Sequence, residues 1–256
     1  MKKLVKYFFA KNARVEPALP EDLRIYCIGD VHGRDDLLLE IHEKINEDAG
    51  DFSGQIVIVY IGDFVDRGMY SKEVVEILIG HPFPDFDCIY LRGNHEQTLL
   101  DFLQEASVGP AWLSFGGQAT LASYGAAVTK IPTRREEFVE IQRSLREKLP
   151  RSHLEFINKT KLSYTAGSYF FVHAGVNPKY SLARQQPEDL MWIRDQFISS
   201  NKHYEKIIVH GHTVTDEPEL LPNRIGIDTG AYASGRLTCL VLQGEQQRVF
   251  QTSRSK

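Results

Sequence analysis

The chain has 256 residues, 42% hydrophobic and 25% charged, values that exclude intrinsic disorder and a fibrous chain and leave room for a substantial buried core. Its 30 lysines and arginines against 34 acidic residues give a net charge of −4, which excludes a protein that coats DNA or RNA; no nucleic-acid partner is expected. Cys27, Cys88 and Cys239 form neither a disulfide framework nor a metal clip, and no apolar run approaches a membrane span, so the expectation is a cytoplasmic protein without stable membrane insertion.

Residues 1–22 read as an N-terminal arm, and 23–256 as a single domain. The arm is basic and carries an apolar patch, Leu4–Ala10, too short and too poor in cleavage signals for a signal peptide; weak membrane-surface contact is the alternative reading. Strand-sized runs rich in β-branched residues follow at Arg24–Ile28, Ile56–Ile61 and Cys88–Leu91. Between them Leu37, Leu38, Ile41 and Ile45, then Val74, Val75, Leu78 and Ile79, recur at helical spacing, with Ser71 as the expected N-cap and Gly80 as the stop. A β-α-β-α-β opening favours parallel strands with right-handed crossovers. The middle, about 97–161, is mostly helical, with a charged run Arg134–Arg151 and a loop-like stretch around Gly116, Gly117 and Gly125; it reads as a helical insertion capping the sheet ends. Strands return at Tyr169–Val172, Lys206–Val209, Arg224–Ile227 and Leu237–Leu242, giving an α+β chain with helices flanking two mixed sheets.

Metal-type ligands gather just after the predicted strands: Asp30 and His32, Asp63 and Asp66, Asn94 and His95, His173, then His210 and His212. The carboxyl ends of parallel strands are where sites assemble in α/β sheets. Asp30 and His32 are two apart, so on an extended segment both face one cation. Asp63 has two oxygens and can bridge two cations, with Asn94, His173 and His212 able to complete the ligand set of the second cation. Mixed imidazole and oxygen donors suit Mn, Fe or Zn, while the absence of nearby cysteine argues against a structural zinc site. Two ions about 3.5–4 Å apart acidify a bridging water and clamp a phosphoryl group. Arg67 offers a fork of donors to phosphate oxygens, and His95, oriented by Asp66, can protonate a departing alkoxide. Trp112, Phe115 and Tyr124 read either as a substrate groove or as a hydrophobic cap core.

The segments Gly29–Gly33 (GDVHG), Gly62–Gly68 (GDFVDRG), Gly93–Glu96 (GNHE), His173–Gly175 (HAG) and Gly211–Thr213 (GHT), in this order, resemble the phosphoprotein phosphatase branch of the calcineurin-like metallophosphoesterases. The resemblance implies two mixed β-sheets sandwiched between helices. It implies one cation on Asp30, His32 and Asp63, and another on Asp63, Asn94, His173 and His212, with Mn²⁺ preferred and Fe or Zn possible. His95 with Asp66 would be the acid pair, and Glu96 would orient its neighbours. Phosphate would be held by Arg67 and by a second arginine, Arg194, from a later loop; Arg92 is a third candidate, and Asn94 also borders the phosphate. The eukaryotic members carry Ser-Ala-Pro-Asn-Tyr where this chain reads Asp228-Thr229-Gly230-Ala231-Tyr232, so the likeness is to compact bacterial and phage-type members.

The expected activity is hydrolysis of phosphoserine or phosphothreonine on proteins by in-line attack of a metal-bridging hydroxide. A symmetrical diadenosine tetraphosphate hydrolase, or a broad small-molecule or phosphotyrosine phosphatase, uses the same centre and is the alternative. A catalytically silent scaffold is a second, which the intact set of ligands, acid and Arg67 opposes. A nuclease fits neither the acidic balance nor the VDRG segment. Neither oligomeric state nor regulators follow from the sequence, since function resides in the site and its loops.

Overall fold

Alternation along the first strand sets the layering. Ile25 and Cys27 point into one apolar cluster while Tyr26 and Ile28 point into another, and the next strand divides Val57 and Val59 from Ile58 and Tyr60 in the same way. A sheet so apolar on both faces must be covered on both. The computed structural model, which describes residues 15–50, 52–126, 130 and 132–253, shows how. The Leu4–Ala10 patch lies outside the described residues.

In chain order the elements are β1 (Leu23–Ile28), α1 (Asp35–Ala49), β2 (Gln55–Tyr60), α2 (Ser71–Ile79), β3 (Asp87–Tyr90), α3 (Asn94–Gln104), α4 (Gly109–Trp112), α5 (Gln118–Ser123), α6 (Arg135–Lys148), α7 (Arg151–Lys159), β4 (Ser163–Ala166), β5 (Tyr169–Val172), α8 (Pro187–Trp192), α9 (Asp195–Ile198), β6 (Ile207–His210), β7 (Glu219–Leu220), β8 (Arg224–Gly226), α10 (Ala231–Ser234), β9 (Thr238–Gln243) and β10 (Gln246–Gln251). The strand order is β10-β9-β1-β2-β3 in one sheet and β4-β5-β6-β8-β7 in the other. Strands β1, β2 and β3 are parallel, as are β5, β6 and β8, while β9, β10, β4 and β7 run antiparallel to their neighbours. Ile25, Val59, Phe171, Val209 and Ile225 fill the space between the sheets. Helices α1, α2, α3, α6 and α7 cover the outer face of the first sheet, and α8 and α9 that of the second. This is the expected α+β, four-layer arrangement. No helix among the described residues is long and apolar enough to cross a membrane.

All seven predicted strands are present, while β4, β7 and β10 were not foreseen. All three are edge strands with mostly half-exposed side chains, so no apolar alternation marks them. The helical middle leaves after β3 and returns beside it through a parallel bridge between Leu91 and Lys161. Most of it does not cap the sheet ends: Phe138, Ile141, Leu145 and Ile157 pack into the layer beneath the first sheet. Ser71 is also reassigned. The residue at the cap of α2 is Tyr70, and the Ser71 hydroxyl instead accepts the Asp66 N–H at 3.1 Å.

Within that layer His42 is buried, with Nε2 sharing a 2.9 Å hydrogen bond with the Tyr60 hydroxyl. Burial pushes it down from 6.5 to about 4. A base depressed on folding is protonated first in the unfolded chain, so the stability it contributes is complete above pH 6.5 and is lost as pH falls toward 4. A His42→Leu variant, unfolded by urea across this range, is expected to show a pH slope shallower than the wild type by up to about one proton. An identical slope would refute the assignment.

Candidate metal centre

The carboxyl ends of the parallel strands from both sheets meet at one rim, tied by hydrogen bonds between their loops. After β1, Asp30 Oδ2 accepts the His212 N–H at 3.0 Å, which joins the two sheets. After β2, Asp63 Oδ1 accepts the His95 N–H at 3.1 Å. His173, after β5, directs Nε2 to Asn94 Oδ1 at 3.0 Å and toward Asp63 Oδ1 at 3.4 Å. Gly211 must be glycine for this approach, because a Cβ there would lie 2.0 Å from Asp30 Oδ1.

Two features hold the turns in place. The buried carboxylate of Glu96 accepts four backbone N–H groups: Asp63 and Gly93 on Oε2 at 2.8 and 2.9 Å, Phe64 and Val65 on Oε1 at 2.7 and 3.2 Å. Burial and the Asp63 charge nevertheless push its pKa up to about 7. The second feature is backbone strain. Among the described residues six non-glycine residues have positive φ, and five are His32, Asp63, Asp66, Arg67 and His212. Such conformations cost about 1–3 kcal/mol each and cluster at functional sites. His32, at φ 45°, sits in a turn, so it does not reach the cluster along the extended segment that its spacing from Asp30 suggested.

The donor set fits cations. His32, Asp63 and His95 each offer a ligand atom within 4.8 Å of the others, and so do Asp63, His173 and His212; Asp63 belongs to both groups. Asp30 lies beside them, with Oδ1 buried and unpartnered, as are His32 Nε2 and His212 Nε2. Unpaired buried polar atoms are costly unless something binds them. His32 donates its Nδ1–H to the Val65 carbonyl at 2.9 Å and His173 its Nδ1–H to that of Ile61 at 3.0 Å, so both turn Nε2 inward. Burial pushes His32 down to about 3 and His212 to about 2, which keeps both rings neutral, as metal ligation requires. Burial also lifts Asp30, reinforced by Asp228, whereas His173 and His95 outweigh it at Asp63 and hold that carboxylate well below its usual range.

His95 and Asp66 form a buried pair with Nδ1 and Oδ2 2.7 Å apart. Burial disfavours the imidazolium, but Asp63 and Asp66 outweigh it and raise the pKa of His95. Asp66 also accepts the Trp112 Nε1–H at 3.0 Å and the Thr120 hydroxyl at 2.6 Å. The helical insertion therefore reaches the sheet ends, as its reading as a cap expects, through Trp112 and Thr120, whose bonds to Asp66 no sequence pattern marks. Trp112 and Tyr124 are buried, while Phe115 is exposed.

Arg67 places a terminal nitrogen 3.3 Å from His95 Nε2 and its guanidinium 4.7 Å from the Tyr232 ring centre. Arg194 is exposed, with no side-chain partner among the described residues, and its charge helps to depress His212. Arg92 is not brought to the cluster. Its guanidinium bonds to Thr160, Gln97 and the carbonyls of Ile157 and Asn158, fastening the end of β3 to the end of α7. His210 is buried, with Nδ1 bonded to the Gly211 carbonyl and its ring edge-on to Phe197. Asp228 accepts the Gly230 N–H at 2.9 Å.

Residues 23–234 match the family model described as calcineurin-like phosphoesterase. A relative from Bacillus mycoides (strain KBAB4), bis(5'-nucleosyl)-tetraphosphatase PrpE (asymmetrical), is 26% identical over 233 residues, covering 83% of this chain and 88% of its own length. Two solved structures share the fold. One is a protein serine/threonine phosphatase from Saccharomyces cerevisiae, with a TM-score of 0.55 and 15% identity over 92% of this chain and 81% of that one. The other is a cold-active protein-tyrosine phosphatase from Shewanella sp., with a TM-score of 0.52 and 16% identity over 91% of this chain and 83% of that one.

Glu96→Gln puts an amide NH₂ among four N–H donors. With about 1–3 kcal/mol for each buried group left unmatched, the unfolding free energy is expected to drop by roughly 3 kcal/mol and cation binding, read by calorimetry, to weaken. Wild-type stability in this variant would refute the role of Glu96 as a frame.

Proposed function

Because the chain belongs to the calcineurin-like phosphoesterase family, we propose that it is a two-metal hydrolase that attacks phosphoesters in line with the leaving oxygen. The observation that carries the reading is the pair of donor groups sharing Asp63, set beside Arg67 and the His95–Asp66 pair. Asp30, His32 and Asp63 would hold one ion, and Asp63, Asn94, His173 and His212 the other; Mn²⁺ is the ion proposed, and Fe or Zn suits the same donors. Such ions, when bound, activate water and neutralise phosphoryl charge, so no covalent phospho-enzyme is needed. Arg67 and Arg194 hold the equatorial phosphoryl oxygens as charge develops. Asp66 accepts the Nδ1–H of His95 and stabilises the imidazolium, whose Nε2–H protonates the leaving oxygen and leaves the neutral Nδ1–H tautomer behind.

For the substrate we propose phosphoserine and phosphothreonine on proteins. The Bacillus mycoides relative favours a second reading, hydrolysis of dinucleoside tetraphosphates, which uses the same residues. A cytoplasmic location belongs to the proposal and accords with the free cysteines Cys27, Cys88 and Cys239.

After reconstitution with Mn²⁺, Asp63→Asn is expected to remain folded, bind less than two equivalents of metal and lose turnover; full activity would sink the mechanism. His95→Asn is expected to lower kcat about 10²–10⁴-fold with metal content retained. A panel of phosphoserine, phosphothreonine and phosphotyrosine peptides with dinucleoside polyphosphates separates the substrate readings.

A further inference from the structure

We propose that Phe115 and Trp192 form an aromatic platform for the leaving group, so that beside phosphoserine and phosphothreonine the site takes phosphoesters whose leaving group carries a planar aromatic ring. The inference rests on the phosphoesterase reading above. Single exposed apolar side chains are ordinary, but a touching pair beside a polar cluster is not. Phe115 is 39% exposed and Trp192 36%. They come from a turn in the insertion and from the last residue of α8, yet their ring centres lie 5.9 Å apart, tilted at 56°.

Their position relates them to the reaction. The Phe115 ring lies 6.3 Å from that of His95. His95 protonates the leaving oxygen, so whatever that oxygen carries emerges beside Phe115. A serine or threonine stem offers it little area, whereas a phenol offers a face for stacking or edge contact at once, and a leaving nucleotide offers its base beyond the phosphate and ribose. Trp192 precedes Arg194 by two residues, so the second ring and the proposed phosphate clamp come from one segment at the end of α8.

The platform is also held rigidly. Next to Phe115, the Gly116 carbonyl accepts the Arg67 N–H at 3.2 Å. Gly116 has φ 108°, and a Cβ there would lie 2.9 Å from Arg67 Cγ, so the turn closes on the arginine only because this residue is glycine. Three residues earlier, the Trp112 indole is bonded to Asp66. One turn thus fixes the acid pair, braces the arginine and presents a ring to the leaving group. Tyr232, the other exposed ring here, is already packed against Arg67 and His32 and supports the site instead.

The test uses the full chain loaded with Mn²⁺ as wild type, Phe115→Ala, Trp192→Ala, Phe115→Tyr and Trp192→Phe. Substrates are a phosphotyrosine peptide, a phosphoserine peptide of the same flanking sequence, and diadenosine tetraphosphate. The quantity read is kcat/KM for each aromatic substrate divided by that for the phosphoserine peptide; comparison with the wild-type ratio cancels intrinsic leaving-group reactivity. This ratio is expected to fall about tenfold in each alanine variant, the size of a lost stacking contact, and to stay within about twofold in the aromatic replacements. A fall confined to the phosphotyrosine peptide upholds the platform and identifies aryl esters as its ligand; one confined to the dinucleotide upholds it for nucleosides. Unchanged ratios in both alanine variants overturn it while leaving the phosphoesterase reading intact. Inactivity of the wild type on all three substrates overturns both.

Discussion

One buried carboxylate, that of Glu96, holds the site in a single frame. It gathers N–H groups from the turn after β2 and from the residue preceding α3, reinforcing the hydrogen bond from the His95 N–H to Asp63 that joins the same two segments. Asp63 belongs to the first segment, and Asn94 and His95 to the second, so these three side chains move together or not at all. The left-handed backbone at Asp63 persists only because something over-determines it. Four charge-assisted hydrogen bonds on a group with no access to water are enough to do so.

Around this frame the molecule concentrates what folding normally avoids. Unpartnered ring nitrogens at His32 and His212 and an unpartnered oxygen at Asp30 share one small buried volume with the charge of Asp63. Their cost is offset when cations bind, which couples metal affinity to stability. The surrounding apolar layers supply the rigidity, since the strands that deliver these residues are buried on both faces.

Much of this was legible in the sequence, and the exceptions share a cause. β-branched runs marked the central strands, and short Gly-flanked motifs marked where each strand delivers its ligand. Residues whose role depends on a distant partner were misread. Ser71 resembled a helix cap because a hydroxyl at a helix start usually is one, yet its partner is the Asp66 N–H. Arg92 sits beside Asn94 in the chain, but the pairing of Leu91 with Lys161 brings the end of α7 within its reach. Trp112 could be read as core or groove; its bond to Asp66 links segments that no local pattern connects. The edge strands failed for want of an apolar face, and His32 because spacing alone does not reveal a left-handed turn.

The bridge between Leu91 and Lys161 carries a wider implication. A segment whose two ends are held side by side, one just after β3 and the other just before β4, is a cassette, and the entropy of closing such a loop rises only slowly with its length. The span between these points can lengthen, shorten or change composition without disturbing strand register in either sheet. Its fixed obligations are the start of α3, the contacts with Asp66 and Arg67, and the apolar side chains Phe138, Ile141, Leu145 and Ile157 that cover the first sheet; beyond them the architecture leaves selection free to retool what the hydrolytic centre meets without rebuilding the centre itself.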